Sequence, residues 1–185
     1  MVESEELFKI DWSKVIHSFM FLKEKFKPDG TFDKLKMRLV AGGNFQNRLD
    51  YDDISSPTVL LTTVLTVVVI AVKKKYFVLT ADVAGAYLNA ILKNKNLYMR
   101  LDPTLAAILV EMDSLYRNYL LKDGSLIVKL EKALYGCIES AKLWYELLAK
   151  TLMEFGLIQS SYDPCLFFSQ SRDMYVTIYV DDILI

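Results

Sequence analysis

The sequence predicts an α+β fold in which strands and helices follow one another along the chain. Two apolar segments, at residues 17–25 and 32–40, flank a Pro-Asp-Gly turn that is typical of a β-hairpin, because proline presets φ and glycine accepts a positive φ. Apolar residues recur at three- and four-residue spacing over residues 140–155, which predicts an amphipathic helix. Two further apolar segments rich in β-forming residues end on aspartates, at Asp82 and at Asp181.

The remaining elements are predicted from the same two periodicities. Residues 55–58, Ser-Ser-Pro-Thr, are typical of a helix start, because serine caps helices and proline is tolerated in the first turn. Ser140 is expected to cap the amphipathic helix, and Gly156 is expected to end it. The other predictions are a turn and short helix at 85–92, helices at 104–110 and 114–121, and strands at 97–101, 126–130, 165–169 and 174–180.

Residues 59–72 form an apolar run with many β-branched side chains. Propensity alone favours a strand there, whereas the length of the run and the helix-start signal before it favour a buried helix. At 14 residues, the run is shorter than the roughly 20 residues needed to span a bilayer. We therefore expect a core element and no membrane partner, with a membrane anchor as the less favoured alternative.

Composition limits the classes of partner. Hydrophobic residues make up 53% of the chain and charged residues 24%, which is typical of a protein with a packed core. The 22 Lys and Arg residues against 23 Asp and Glu residues leave a net charge of -1. Since nucleic-acid-binding proteins gain affinity by neutralising phosphates, such a partner is predicted only if basic residues cluster locally.

Cysteine and histidine are scarce in this sequence. Cys137, Cys165 and His17 lack the spacing of a zinc site or of a disulfide framework. The first ten residues are acidic and have no apolar segment of the kind found in signal peptides. A reduced, intracellular setting is expected.

The predicted hairpin carries a local basic cluster. Lys34, Lys36 and Arg38 alternate along its second strand, so they share one face of an extended chain. The first strand and the turn add Lys23, Lys25 and Lys27. The cluster is a candidate phosphate-binding surface, and a solvated strand face is the alternative.

Asp82, Asp181 and Asp182 differ from the other carboxylates because each follows an apolar strand. We expect such strands to be central and their ends to project into a cleft, where a charge is costly unless it is paired or bound to a metal. Carboxylates from two strand ends suit Mg²⁺, which prefers oxygen ligands and shares its other positions with water and phosphate oxygens. Two such ions stabilise the attacking and leaving oxygens of an in-line displacement. The alternative is a helix cap at Asp82 and a surface turn at Asp181 and Asp182.

Six short words of the sequence resemble, in the same order, motifs of copia-type retrotransposon reverse transcriptases. They are KMRLVA at 36–41, SP at 56–57, DVAGAY at 82–87, KALYG at 132–136 followed by WY at 144–145, DPCLF at 163–167 and YVDD at 179–182. A YxDD motif alone is weak evidence for this family, whereas six motifs in the same order are specific to it. The resemblance covers residues 17–185 and leaves residues 1–16 as an N-terminal lead-in.

The resemblance implies the fingers and partial palm of a right-hand polymerase, with an antiparallel sheet, packed helices and no thumb. The implied activity is RNA-directed DNA polymerisation, in which a primer 3′-hydroxyl attacks the α-phosphate of a deoxynucleoside triphosphate. The implied partners are an RNA or DNA template with its primer, deoxynucleotides, and the remainder of a Pol polyprotein with integrase and ribonuclease H. Two Mg²⁺ ions, replaceable by Mn²⁺, are the implied cofactors. A cytoplasmic virus-like particle or the nucleus is the implied location.

The same resemblance implies roles for individual residues. Asp82, Asp181 and Asp182 would bind the metal ions, assisted by the carbonyl of Val83. Tyr87 stands where an aromatic residue packs under the sugar and excludes a ribose 2′-hydroxyl, with a core aromatic as the alternative. The other implied contacts are Lys36 and Arg38 to the β- and γ-phosphates, the N–H groups of Gly85 and Ala86 to the triphosphate, and Tyr135 and Gly136 near the nucleotide and template.

The sequence also departs from the family pattern. Gly42 stands where the family usually has a basic residue, and residues 139–142, Glu-Ser-Ala-Lys, replace QSPR. Three residues follow Asp182, so we expect the hairpin to lack a full returning strand and the chain alone to synthesise DNA weakly or not at all. A non-catalytic transposon relic or interaction module is the second hypothesis. A different palm enzyme, such as a nucleotide cyclase, is disfavoured by the KALYG and DPCLF words.

Overall fold

The computed structural model describes residues 1–2, 7–51, 53–92 and 96–185. The chain divides into two compact units, and it enters each of them twice. The first unit comprises Met1–Asp52 and Leu92–Ile138, and the second comprises Asp53–Ile91 and Glu139–Ile185. Each unit contains strands and helices, which confirms the predicted mixture of the two.

The described residues form nine strands and three α-helices. In chain order they are β1 (Val15–Phe26), β2 (Phe32–Ala41), α1 (Leu61–Lys74), β3 (Thr80–Asp82), β4 (Tyr98–Leu101), α2 (Pro103–Met112), β5 (Leu126–Lys129), α3 (Ser140–Glu154), β6 (Ile158–Gln159), β7 (Leu166–Phe168), β8 (Tyr175–Tyr179) and β9 (Asp182–Leu184). Short 3₁₀ turns lie at Trp12–Lys14, Gly43–Phe45, Arg48–Asp50, Ala86–Asn89 and Ser114–Tyr119.

The sheet of the first unit has the strand order β2-β1-β4-β5. The β1–β2 and β4–β5 pairs are antiparallel, whereas β1 and β4 run parallel. The predicted hairpin is confirmed, and its turn is closed because the N–H of Gly30, at φ 83°, donates to the carbonyl of Lys27. The core lies around β4 and the parts of β1 and β5 that pair with it, where Ile16, Met99 and Ile127 are buried. Most of the hairpin is exposed to solvent.

The sheet of the second unit has the strand order β3-β9-β8-β7-β6, and all neighbouring strands are antiparallel. Phe167 and Cys165 are fully buried, and Val176 and Ile178 of β8 are almost so, which places the core at the middle of this sheet. β3 is an edge strand with three exposed residues. The expectation that the strand ending on Asp82 is central was therefore wrong.

The final hairpin has a short returning strand, where the sequence predicted that a full one would be lacking. Asp182–Leu184 forms β9, which hydrogen-bonds to β8 on one side and to β3 on the other. Ile185 continues the ladder, because its N–H and carbonyl both bond to Leu79 at 2.9 Å. Three residues are enough for a strand here because partners on both sides satisfy the backbone groups.

The apolar run forms helix α1, as predicted. The helix begins later in the chain than predicted, and it is less buried than predicted. It begins at Leu61, with Leu60 as the N-cap residue and no side-chain cap of its own, so the start predicted at residues 55–58 was wrong. Val67 and Ala71 are buried, whereas Leu61, Val69 and Val72 are 63–74% exposed. Within the part of the chain that the structure describes, no helix is long and apolar enough to cross a membrane.

Helix α3 confirms the predicted amphipathic helix. Leu143, Trp144 and Leu148 form its buried side, and the chain turns at Gly156, which has φ 98°. The predicted cap was wrong, because Ser140 is already the first helical residue and is buried. The two-residue strand β6 that follows was not predicted, since so short a strand carries no detectable periodicity.

Candidate active site

The candidate site of the second unit is built on the β3–β9 ladder. Asp82 and Asp182 are directly opposite partners in this antiparallel pair. Because opposite residues share one face of a sheet, both carboxylates leave the ladder on the same side. The N–H of Val83 donates to the carbonyl of Asp181 at 2.9 Å, so the turn residue before Asp182 is tied to the same strand end. The backbone thus brings Asp82, Asp181 and Asp182 to one place.

The turn that carries Asp181 is a tight one. Tyr179 pairs with Asp182, so the hairpin loop consists of Val180 and Asp181 alone. Val180 has a φ of 57°, in the left-handed region that is rare for a β-branched residue. The indole N–H of Trp144 donates to the carbonyl of Val180 at 2.7 Å. Helix α3 therefore contacts the turn at its most strained residue.

The three aspartates have the residue type that a divalent metal ion needs. Asp82, Asp181 and Asp182 offer hard oxygen ligands of the kind that Mg²⁺ prefers, and Mg²⁺ is commonly held by one or two carboxylates together with water and phosphate oxygens. Asp82 and Asp182 are exposed, and two negative charges opposed across a ladder repel unless a cation lies between them. The residue types thus fit a divalent ion. Across the described ranges, however, no group of three or more His, Cys, Asp or Glu side chains is arranged to hold one.

The segment after Asp82 forms the predicted turn and short helix. Gly85, at φ 62°, precedes the 3₁₀ turn Ala86–Asn89, and the N–H of Leu88 donates to the carbonyl of Gly85 at 2.8 Å. Ala86 is buried, Tyr87 is half-buried and Gly85 is exposed. The roles of these residues toward a nucleotide stay predictions.

The basic residues of the hairpin lie in the first unit. Lys23 is opposite Lys36, Lys25 is opposite Lys34, and Arg38 is opposite Phe21. Opposed residues share a face, so one side of the hairpin carries five cations, which we call the basic hairpin face: Lys23, Lys25, Lys34, Lys36 and Arg38. Like charges directly opposite each other destabilise a hairpin, which favours an anion over this surface.

Arg38 and Tyr135 were both predicted as substrate contacts, and the structure brings them together. The guanidinium carbon of Arg38 lies 5.6 Å from the centre of the Tyr135 ring, within the range of a cation–π contact. The N–H of Ala41 donates to the carbonyl of Tyr135 at 2.7 Å. The KALYG segment is therefore attached to the end of β2.

Gly42, which stands where the family usually has a basic residue, is closely packed in this structure. A Cβ atom on Gly42 would lie 2.9 Å from the ring of Phe45, 3.0 Å from the carbonyl of His17 and 3.1 Å from the ring of Phe19. The N–H of Gly42 donates to the carbonyl of His17 at 2.7 Å, which fixes the backbone there. A basic side chain would have to displace its neighbours.

Sequence reasoning missed the role of Asp163. Its carboxylate is buried and accepts hydrogen bonds from the N–H of Leu60 and the N–H of Cys165, each at 2.9 Å, and from the hydroxyl of Thr63. Burial by itself raises the pKa of Asp163, but these hydrogen bonds outweigh it and hold the pKa below its usual value. The only signal in the sequence was that Asp163 belongs to the DPCLF word.

Asp53 and Lys142 form an ion pair within the second unit. The ammonium of Lys142 lies 2.8 Å from a carboxylate oxygen of Asp53. This hydrogen bond, with those from Ser55, lowers the pKa of Asp53 to about 2. Lys142 belongs to residues 139–142, which replace the family's QSPR motif, and the lysine found there forms an ion pair with Asp53.

The structure thus combines a mixed fold with two aspartates opposed on neighbouring strands beside a tight hairpin turn. The family model described as "Reverse transcriptase (RNA-dependent DNA polymerase)" matches residues 13–185. The chain belongs to this family, and its resemblance to copia-type enzymes is confirmed.

The relatives are retrotransposon polyproteins. The chain is 33% identical over 165 residues to the "Retrovirus-related Pol polyprotein from transposon RE1" of Arabidopsis thaliana. The aligned region covers 88% of the chain and 10% of that protein. It is 32% identical over 166 residues to the corresponding RE2 polyprotein of the same plant, again covering 88% of the chain and 10% of the relative. The chain spans about a tenth of the length of these curated relatives. No solved structure matches the chain.

Proposed function

We propose that this chain supplies the nucleotide-transferring part of an RNA-directed DNA polymerase. The observation that carries the proposal is the direct opposition of Asp82 and Asp182 across β3 and β9, with Asp181 tied to the same strand end by the Val83 N–H. Membership of the reverse transcriptase family supports it. We assign the second unit to the palm and the first unit, with its basic hairpin face, to the fingers; no thumb is expected within residues 17–185.

The reaction proposed is an in-line displacement. The primer 3′-hydroxyl oxygen forms a bond to the α-phosphorus of the deoxynucleotide, the bond from that phosphorus to the bridging oxygen breaks, and pyrophosphate leaves while the hydroxyl proton passes to solvent. Asp82, Asp181 and Asp182, with the Val83 carbonyl, would hold two Mg²⁺ ions, or Mn²⁺ in their place. When bound, these ions neutralise charge on the phosphate oxygens and activate the 3′-hydroxyl. The protein's contribution is to hold its carboxylates in a fixed arrangement before substrate arrives.

Substrate binding is proposed for both units. Tyr87 would pack under the sugar and reject a 2′-hydroxyl, next to the N–H groups of Gly85 and Ala86 that would meet the triphosphate. Lys36 and Arg38 would contact the β- and γ-phosphates. The Arg38–Tyr135 contact supports a shared role for these two residues, with Gly136 beside them near the nucleotide and template.

The partners proposed follow from the polyprotein context. The Arabidopsis relatives are named as Pol polyproteins, so a template–primer duplex, deoxynucleotides, integrase and ribonuclease H are the expected partners in the parent element. An intracellular setting is proposed, in a cytoplasmic virus-like particle or in the nucleus.

We also propose that the polymerase domain begins at residue 17.

The second candidate function is a non-catalytic relic or interaction module. One observation favours it, namely the exposed apolar surface of α1, where Leu61, Val69 and Val72 face solvent. Such a surface is more typical of a segment that docks onto other protein than of one that is complete alone.

Incorporation of a single nucleotide onto a primer annealed to RNA, with Mg²⁺, tests the proposal without requiring processive synthesis. Asp181→Asn should lower the rate about a hundred- to a thousandfold, because a carboxylate that stabilises transferring charge is lost. Asp173→Asn is the matched control, since Asp173 is an exposed turn aspartate of the same unit. If the unaltered sequence is inactive both alone and inside a Pol polyprotein, the relic hypothesis replaces the enzymatic one.

A further inference from the structure

The Val180–Asp181 turn does not have the conformation that its own residues prefer. Two-residue hairpin loops with a positive φ at the first position favour Gly, Asn or Asp there, because the Cβ of other residues crowds the following carbonyl. Val180 has a φ of 57° despite its branched Cβ. A conformation of this kind persists only where the surrounding structure enforces it.

Two donors from outside the turn hold its two carbonyl groups. The indole N–H of Trp144 bonds to the Val180 carbonyl at 2.7 Å, and the Val83 N–H bonds to the Asp181 carbonyl at 2.9 Å. The donor from Trp144 is the only one of the two that comes from a side chain. It is also fixed in place, because Trp144 is 5% exposed and lies between the buried Leu143 and Leu148 of α3.

We infer that Trp144 is a positioning residue that holds the Val180 peptide in its left-handed conformation and so sets where Asp181 and Asp182 point. If this peptide rotated, the Val180 carbonyl would lose its donor in a half-buried environment, and the carboxylate of the next residue would be redirected. The effect on the turn follows from the structure alone. The effect on nucleotide transfer rests on the proposed function.

The indole N–H is the group that matters, rather than the size of the ring. Tryptophan has one polar hydrogen, and Trp144 uses it on the turn. A phenylalanine at this position keeps an aromatic ring in the core but has no donor. Trp144→Phe therefore separates packing from positioning.

The structural part is tested by NMR on the unaltered chain and on two variants. The sequence has two tryptophans, so Trp12, which is 51% exposed, is the internal control. The Trp144 indole hydrogen should exchange with solvent far more slowly than that of Trp12, and couplings at Val180 should report a positive φ. In Trp144→Phe the positive φ should be lost, whereas Trp12→Phe should leave it unchanged. Equal exchange of the two indoles, or an unchanged turn in Trp144→Phe, would overturn the inference.

The consequence for the site is tested by rescue. Glycine adopts a positive φ freely, so Val180→Gly should restore the turn in the Trp144→Phe background. Single-nucleotide incorporation should fall about tenfold in Trp144→Phe, as expected for one lost hydrogen bond, with most of the loss in kcat rather than KM, and should recover in the double variant. Failure of rescue, with the turn restored, would show that Trp144 acts only through packing. If the unaltered chain is inactive, the NMR result still decides the role of Trp144. If Trp144→Phe does not fold, the couplings at Val180 in the unaltered chain are the test, and a negative φ there would overturn the inference.

Discussion

Gly136 shapes the first unit through the side chain that it lacks. Its φ of 92° is unfavourable for other residues, and a Cβ atom there would lie 2.0 Å from the carbonyl oxygen of Ala41. The backbone approaches so closely because Ala41 donates its N–H to Tyr135 at 2.7 Å. The glycine therefore allows Tyr135 to lie beside Arg38.

Gly136→Ala is expected to lower the free energy of unfolding by about 3 kcal/mol, because backbone strain and a steric clash act together. Gly30→Ala is the matched control, since Gly30 has φ 83° but nothing within 4 Å of its Cβ position. That variant should lose only about 1 kcal/mol, from the left-handed backbone alone. Urea denaturation of both variants checks this; equal losses would show that the close approach at Gly136 is unimportant.

At the scale of elements, the start of α1 depends on a residue far away in the sequence. The carboxylate of Asp163 binds the N–H of Leu60 and the hydroxyl of Thr63, and it places negative charge at the positive end of the helix dipole. No side chain within α1 caps it. The loop before β7 thus fixes where this helix begins.

Asp163→Ala should destabilise the second unit by about 3 kcal/mol, because the N–H groups of Leu60 and Cys165 and the hydroxyl of Thr63 lose their common buried acceptor. Asp102→Ala offers a comparison, since Asp102 caps α2 by bonds to the adjacent Thr104 and Leu105 N–H groups and is exposed. Its loss should cost about 1 kcal/mol, which is usual for a local cap. Amide hydrogen exchange in the first turn of each helix measures both effects. If the two helices were weakened equally, Asp163 would be an ordinary cap.

The lowered pKa of Asp163 also predicts a dependence of stability on pH. A carboxyl group with a folded pKa below its usual value of 3.8 stabilises the fold above that pH, and the contribution disappears as the pH falls through the folded pKa. The urea concentration at the midpoint of unfolding should therefore decrease as the pH is lowered below 3.8, and it should not change with pH near neutrality. Asp163→Asn should reduce this fall. Because Asp53, with a pKa of about 2, contributes to the same fall, the difference between the two proteins is the informative quantity.

For the whole molecule, the distribution of charge matters more than its sum. The net charge is -1, yet five cations lie on the basic hairpin face. The opposite face of the hairpin is apolar and exposed, with Leu22 at 64% and Met37 at 58%. We therefore propose that nucleic acid binds at this one surface rather than through the overall field of the chain.

Affinity for an RNA–DNA duplex should therefore depend on salt through the hairpin. If all five cations contact phosphates, log K should fall against log salt with a slope of about -4.5. Replacing Lys23, Lys25 and Lys36 by Gln should make the slope shallower by about 2 to 3. The matched control replaces Lys73, Lys74 and Lys75, at the end of α1, by Gln and should leave the slope unchanged. Equal effects of the two triple variants in fluorescence anisotropy would contradict a specific role for the hairpin.

Local features of the sequence predicted the family, the mixture of helices and strands, the hairpin at Pro28–Gly30, the strand that ends on Asp82 and the strand that leads into Asp181. These features follow from local periodicity, from turn residues and from short words, all of which are written in neighbouring residues. The family membership and these elements were confirmed. The functions of the aspartates stay proposals.

The start of α1, its exposure and the contacts that hold the Val180–Asp181 turn depend on residues far apart in the sequence. Asp163 and Leu60 are 103 residues apart, and Trp144 and Val180 are 36 apart. No local pattern encodes such contacts, because they depend on which strands become neighbours in the sheet. The positive φ of Val180 is the clearest case: local preference opposes it, and two distant donors, Trp144 and Val83, hold the turn.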